Sequence, residues 1–229
     1  MTTPVPLKCV IVGDATVGKR EILDQLAPVE GRSSNENLMF DNRERNCTVR
    51  GVEYKCTFCA PNGNQEFDRM RPLLYQGTDI FIIAFALDDP VSFENAKNKW
   101  HAEITACMDS GRIPFILVGT RAELRKKSNS GIVAGSSSAP PSPASPSPAL
   151  QSPASPSISS LGSSPGPVRK LIPKNEALEM SYYIKADMYM ECSTETKPGL
   201  FLQIVMEEIH CQKNPNEVRS TSGCACILQ

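Results

Sequence analysis

The chain lacks any apolar run long enough to cross a bilayer, and it has no excess of either charge and few aromatic residues. A spanning helix needs about 20 consecutive apolar residues, so a transmembrane segment is excluded. The start, MTTPVPLK, leads into only a few apolar residues, and no signal peptide is expected there. Any membrane contact is therefore expected to come from an attached lipid. With 24 Lys and Arg against 25 Asp and Glu, the net charge is -1. No global field draws the protein toward nucleic acid or acidic lipid, and partners must be recognised locally. The 9 cysteines are odd in number, scattered, and free of paired zinc-ligand spacing. Neither a disulfide framework nor a metal site follows from them, whereas reduced cytosolic thiols fit.

What is present is a chain of 229 residues that is 40% hydrophobic, enough to bury a core in one ordinary domain or two small ones. From Ser128 to Val168 the composition changes to Ser, Pro, Ala and Gly, with no charged and no aromatic residue. Such a segment buries too little apolar surface to offset its chain entropy and reads as disordered. It interrupts one domain, because each flank is incomplete alone.

Together the flanks alternate short apolar runs with amphipathic stretches. Leu7 to Gly13 reads as a strand followed at once by a helix from Lys19 to about Ala27. Tyr54–Cys59, Ile80–Ala86 and Pro114–Gly119 read as further strands, and uninterrupted apolar strands suit a parallel sheet covered on both faces. Phe93, Ala96, Trp100, Ile104 and Met108 recur at helical spacing and predict core positions. Past the Ser/Pro segment, Asn175–Ile184 is helix-like and Met188–Cys192 strand-like, and Leu200, Phe201, Ile204, Val205 and Ile209 form a last apolar stripe. The alternation predicts a doubly wound α/β fold.

The strongest chemical signal is Gly13-Asp14-Ala15-Thr16-Val17-Gly18-Lys19, a G-x-x-x-x-G-K sequence set between a strand and a helix. Glycines permit the tight path, backbone N–H groups converge on phosphate oxygens, and Lys19 adds a positive charge at the helix start. Arg20 then occupies the position where a Ser or Thr hydroxyl ligates Mg²⁺. A guanidinium has donors only and repels a dication, so it cannot be that ligand. Three readings stay open: no magnesium, no nucleotide, or Arg20 replacing part of the metal's charge at the phosphates.

The stretch Asn64-Gln65-Glu66-Phe67-Asp68-Arg69-Met70-Arg71-Pro72-Leu73-Leu74-Tyr75, with Thr78-Asp79-Ile80-Phe81 after it, resembles the second switch and following strand of Rho/Rac small GTPases. Phe40-Asp41-Asn42 is similar to their first switch, and Val118-Gly119-Thr120-Arg121-Ala122-Glu123-Leu124-Arg125 to their guanine-specificity loop. Glu191-Cys192-Ser193-Thr194 resembles the loop that packs on the base. The resemblance covers about Leu7 to Arg125 and about Lys174 to Ile209, and the Ser/Pro segment sits where Rho proteins carry an insert helix. It implies a P-loop small G-protein domain over residues 1–211, interrupted at 128–168 and followed by a flexible tail, 212–229. The implied core is a six-stranded, mostly parallel sheet flanked by helices, with GTP or GDP at the carboxyl ends of the strands. On the matching positions, Gly13, Asp14, Ala15, Thr16, Val17, Gly18, Lys19 and Arg20 would surround the phosphates, and Thr120, Arg121, Glu123, Ser193 and Thr194 the base. Effectors and regulators would dock near Phe40 and Phe67 on a monomer, with no nucleic acid involved.

The sequence also departs from that family. A first-switch Thr that completes the metal shell is matched by Leu38, and the D-x-x-G motif reads Ala60-Pro61-Asn62-Gly63. Asn64 stands in the water-orienting position of a glutamine, and Ala15 replaces a loop glycine. Each change touches transition-state charge or water positioning, and one such loss typically costs a factor of about 10² or more. Hydrolysis is expected to be very slow or absent, and no catalytic residue is assigned. Glu123 replaces the Asp that pairs with guanine, keeping the carboxylate but moving it outward by one methylene.

The chain ends Cys226-Ile227-Leu228-Gln229, a C-a-a-X box whose terminal Gln is usually read as farnesyl. One prenyl chain anchors only marginally, and Lys213 and Arg219 are too few for a polybasic signal, so Cys224 becomes a palmitoylation candidate. Ser-Pro pairs at Ser142, Ser145, Ser147, Ser152, Ser155 and Ser164 could accept proline-directed phosphorylation. The leading expectation is a signalling protein lipid-anchored to the cytoplasmic face of membranes, binding guanine nucleotide without efficient hydrolysis. The alternatives are a nucleotide-free scaffold and a functional GTPase switch.

Overall fold

The computed structural model describes residues 3–28, 39–107, 113–130, 170–193, 195 and 199–214. Its centre is a six-stranded sheet in the order β2-β3-β1-β4-β5-β6. The strands are β1 (Val5–Val12), β2 (Phe40–Val49), β3 (Val52–Pro61), β4 (Ile80–Ala86), β5 (Phe115–Thr120) and β6 (Met188–Glu191). All neighbours pair in parallel except β2 and β3, which form an antiparallel hairpin. The hairpin turns at Arg50 (φ 47°) and Gly51 (φ 81°), the positive-φ pair that a two-residue turn between twisted strands demands. Arg50 holds this strained position while its guanidinium donates to Glu207, 3.0 Å away.

The predicted apolar strands are present because both faces of the sheet are covered. Along β1, Cys9 and Ile11 enter one core cluster with Ile22, Leu23, Phe201 and Val205, while Val10 and Val12 enter the other with Phe93, Trp100 and Ala177. Period-2 alternation thus sends neighbouring side chains to opposite layers. The first layer is made by α1 (Lys19–Leu26) and α6 (Leu200–Lys213). The second is made by α2 (Pro90–Asn95), a π-helical segment (Ala96–His101), α3 (Ala102–Ala106) and α5 (Lys174–Tyr183). Asp89 caps α2 by accepting from the backbone of Val91 and Ser92, with Pro90 at the first helical position. A further helix, α4 (Glu123–Ser130), follows β5 and runs into the first residues of the Ser/Pro segment.

Strand β2 has no counterpart in the apolar pattern. Its residues alternate between exposed and half-buried, as an edge strand with one watered face does. Met108, Leu38, Thr194, most of the Ser/Pro segment and the tail with Cys224 and Cys226 lie outside the described residues. Among the described residues, no helix is long and apolar enough to cross a membrane.

Candidate functional site

At the carboxyl end of β1 the chain turns through Gly13 (φ 152°) and Gly18 (φ 90°) into α1. These conformations suit glycine, the residue that a tight phosphate-binding turn calls for. Lys19 is 7% exposed, and its ammonium donates to the carbonyls of Gly13 at 2.8 Å and Asp14 at 2.7 Å. Burial lowers its pKa from 10.5 to about 7, against the opposing pull of Asp14. The Asp14 side chain points out of the loop, accepting from Asn95 Nδ2 and Trp100 Nε1, both at 2.8 Å.

A second segment buttresses the loop from the end of β5. Thr120 Oγ1 reaches the carbonyls of Val17 at 2.5 Å and Phe85 at 3.1 Å. Arg121, in the left-handed region at φ 63°, donates to the Thr16 carbonyl and to Asp88, each at 2.6 Å. From the end of β6, the Ser193 carbonyl accepts from Gln25 Nε2 at 2.6 Å, and the Cys192 carbonyl accepts from the Ala122 N–H at 3.0 Å.

These segments enclose a cleft of about 680 Å³ at the carboxyl ends of the strands, where doubly wound sheets bind ligands. Of the sequence candidates, Ala15, Thr16, Gly18, Lys19, Arg20, Asn64, Thr120, Arg121, Glu123 and Ser193 line it. Gly13, Asp14 and Val17 do not: Val17 is fully buried in the core and Asp14 is turned toward Trp100. Glu123 Oε2 is buried without a hydrogen-bond partner. An unmet buried acceptor costs about 1–3 kcal/mol, so this oxygen is suited to a ligand that brings N–H donors. The donor edge of guanine fits that requirement.

A magnesium ion fits less well. Arg20 offers donors only, Ala60 on β3 offers a methyl group, and Asp41 is already paired with Arg43 at 3.1 Å. Among the described residues, no group of three or more His, Cys, Asp or Glu side chains could hold a metal.

The segment after β3 lies directly on the loop. A Cβ on Gly63 would collide with the Gly13 carbonyl and come within 2.6 Å of the Ala15 nitrogen. Arg71, 1% exposed, braces this segment from below. It donates to the Asn62 carbonyl at 2.7 Å and to Glu103 at 2.8 and 3.0 Å, pairs with Asp68, and stacks over Trp100 at 4.6 Å. Tyr75 donates to the same Glu103 at 2.5 Å. The sequence predicts Trp100 as a core position, and the fold adds this brace to it. Its one signal was the lone tryptophan, whose buried N–H needs an acceptor. Nearby, Phe40 at 40%, Met70 at 49% and Leu73 at 75% are exposed, whereas Phe67 is half-buried.

A model of the Ras family matches residues 8–209, which takes in every strand but the first residues of β1 and all the helices except the end of α6. The loop between β1 and α1, the cleft it shares with Thr120 and Glu123, and the sheet order occupy that matched span. The chain therefore belongs to the Ras family of small GTP-binding proteins.

Proposed function

We propose that the chain is an atypical member of the Rho branch that holds guanine nucleotide in the cleft between Lys19 and Glu123 and hydrolyses GTP very slowly or not at all. The observation that carries this reading is the unpartnered Glu123 Oε2, buried in the cleft that the loop of residues 13–18 also lines. In this reading the backbone of residues 13–18 and the Lys19 ammonium bind the phosphates, and Thr120 and Arg121 hold the loop in position. Glu123 pairs with the base edge, and Ser193 and Thr194 are assigned to the base by the resemblance of their segment. The Rho assignment rests on the resemblance of the segments around Phe40 and Asn64–Tyr75.

Slow hydrolysis follows from the same residues. Asn64 is exposed at the cleft and one methylene shorter than a glutamine, and neither Ala60 nor Arg20 carries an acceptor for a metal or a water proton. The surface around Phe40, Met70 and Leu73 is the proposed docking face for effectors and regulators. Cys226, with Cys224 as a second acylation site, would tether the protein to the cytoplasmic face of a membrane. By resemblance, actin organisation, polarity and membrane traffic are the processes served.

A nucleotide-free scaffold is favoured by one observation, the bonding of Lys19 to two loop carbonyls. Denaturing the purified full-length chain and identifying released nucleotide by chromatography separates the readings. GTP supports the present one, GDP supports a working GTPase, and none supports the scaffold.

A further inference from the structure

Arg20 stands apart from the other arginines near the cleft. Arg43, Arg71, Arg121 and Arg125 each pair with a carboxylate, at Asp24, Glu103, Asp88 and Glu191 respectively. Arg20 is half-buried at the second residue of α1, lines the cleft, and makes no hydrogen bond or ion pair with a described residue. Its neighbour Lys19 is held on the loop carbonyls with one ammonium N–H left over. Ala60, Pro61 and Asn62 in the same lining supply no carboxylate, Asp41 is taken by Arg43, and neither Glu21 nor Glu123 pairs with Arg20. A half-buried, uncommitted guanidinium beside a phosphate loop is a charge waiting for an anion, and its planar fork matches two phosphate oxygens. It occupies the place where a magnesium ligand would stand and repels the ion that would bind there.

We infer that this chain binds the polyphosphate of its nucleotide without Mg²⁺, with the Arg20 guanidinium taking the cation's place between phosphate oxygens. The inference rests on guanine nucleotide being the ligand of the cleft. Two consequences distinguish it from ordinary family chemistry. Chelation leaves affinity intact, because no metal is part of the complex. Excess Mg²⁺ weakens binding, because it competes for the same phosphate oxygens.

The test is calorimetric titration of the nucleotide-stripped full-length chain with GDP and GTP, in chelator and in millimolar Mg²⁺, alongside Arg20→Gln and Arg20→Lys. Circular dichroism melting of each ligand-free variant checks that it folds. The inference requires undiminished affinity in chelator. It also requires a loss of about tenfold or more for Arg20→Gln, roughly one charge-assisted pair, and a smaller loss for Arg20→Lys, which keeps the charge but not the fork. Binding that appears only with Mg²⁺, or Arg20→Gln binding as tightly as the parent in chelator, overturns the inference while leaving the nucleotide reading standing. No binding of either nucleotide in any condition removes both.

Discussion

The indole N–H of Trp100 donates to the carboxylate of Asp14 at 2.8 Å, tying the phosphate loop to the π-helical segment that packs beneath it. A π-bulge turns side chains out of ordinary helical register and is frequent at functional sites. Here it sits at the residue that serves both the core and the loop.

Replacing Trp100 with Phe keeps most of the buried ring and removes only the donor. Asp14 Oδ1 then loses this partner, while Oδ2 keeps Asn95. A loss of about 1–3 kcal/mol is expected from the unmet acceptor and the lost ring volume together. Urea denaturation followed by circular dichroism checks it, and an unchanged midpoint would mean that the tether is not stabilising.

Arg71 and Glu103 form an ion pair with the arginine 1% exposed. Removing one member strands the other, so Arg71→Met should destabilise by about 3–5 kcal/mol. Joining it to Glu103→Leu should recover part of that loss, because the stranded carboxylate is gone although the Tyr75 hydroxyl loses its acceptor. Hydrogen exchange of the amides at 62–75 should rise sharply in the single variant and less in the double one.

The pH dependence of nucleotide affinity follows from Lys19. Its pKa in the free protein is about 7, lowered from 10.5 by burial, and phosphate contact favours the charged form. Above pH 7 binding must therefore take up a proton, and affinity should fall as pH rises from 7 toward 9, by up to about tenfold per unit. For the ligand-free protein the sign is opposite. The unfolded chain holds the Lys19 proton up to about 10.5 while the folded chain releases it near 7, so this residue makes stability rise with pH between those values. Titrations at pH 6.5, 7.5 and 8.5, with Lys19→Met as the flat control, check the direction at roughly unit spacing.

Cys226→Ser should move the protein from the membrane to the soluble fraction of a cell lysate, because it removes the proposed prenyl chain and one remaining lipid chain anchors only marginally. Cys224→Ser should weaken fractionation without abolishing it. Unchanged membrane association of Cys226→Ser would refute the lipid tether.

The sequence made the inner sheet and the phosphate loop legible because both depend on local pattern. β4 is a continuous apolar run buried on both faces, β5 is buried along its length, β1 is apolar and buried from Cys9 to Val12, and the glycines of the loop lie between a strand and a helix. Strand β2 left no such pattern, since Phe-Asp-Asn-Arg-Glu-Arg-Asn-Cys-Thr-Val is an edge whose ladder lies on one side only. Arg71 was illegible for a different reason. An arginine in sequence reads as solvent-facing, and its burial is decided by Glu103, Asp68 and Trp100, which only the folded chain assembles around it. Glu123 was legible as a base-pairing candidate, but its unmet oxygen is a property of the cleft.

The most direct test of guanine nucleotide binding is calorimetric titration of the nucleotide-free full-length chain with GDP and, separately, with ADP, repeated on Glu123→Ala. The account predicts saturable GDP binding that exceeds ADP binding by about tenfold or more in the parent chain, a preference that Glu123→Ala erases. Equal binding of GDP and ADP by the parent, or no heat from either, would contradict it.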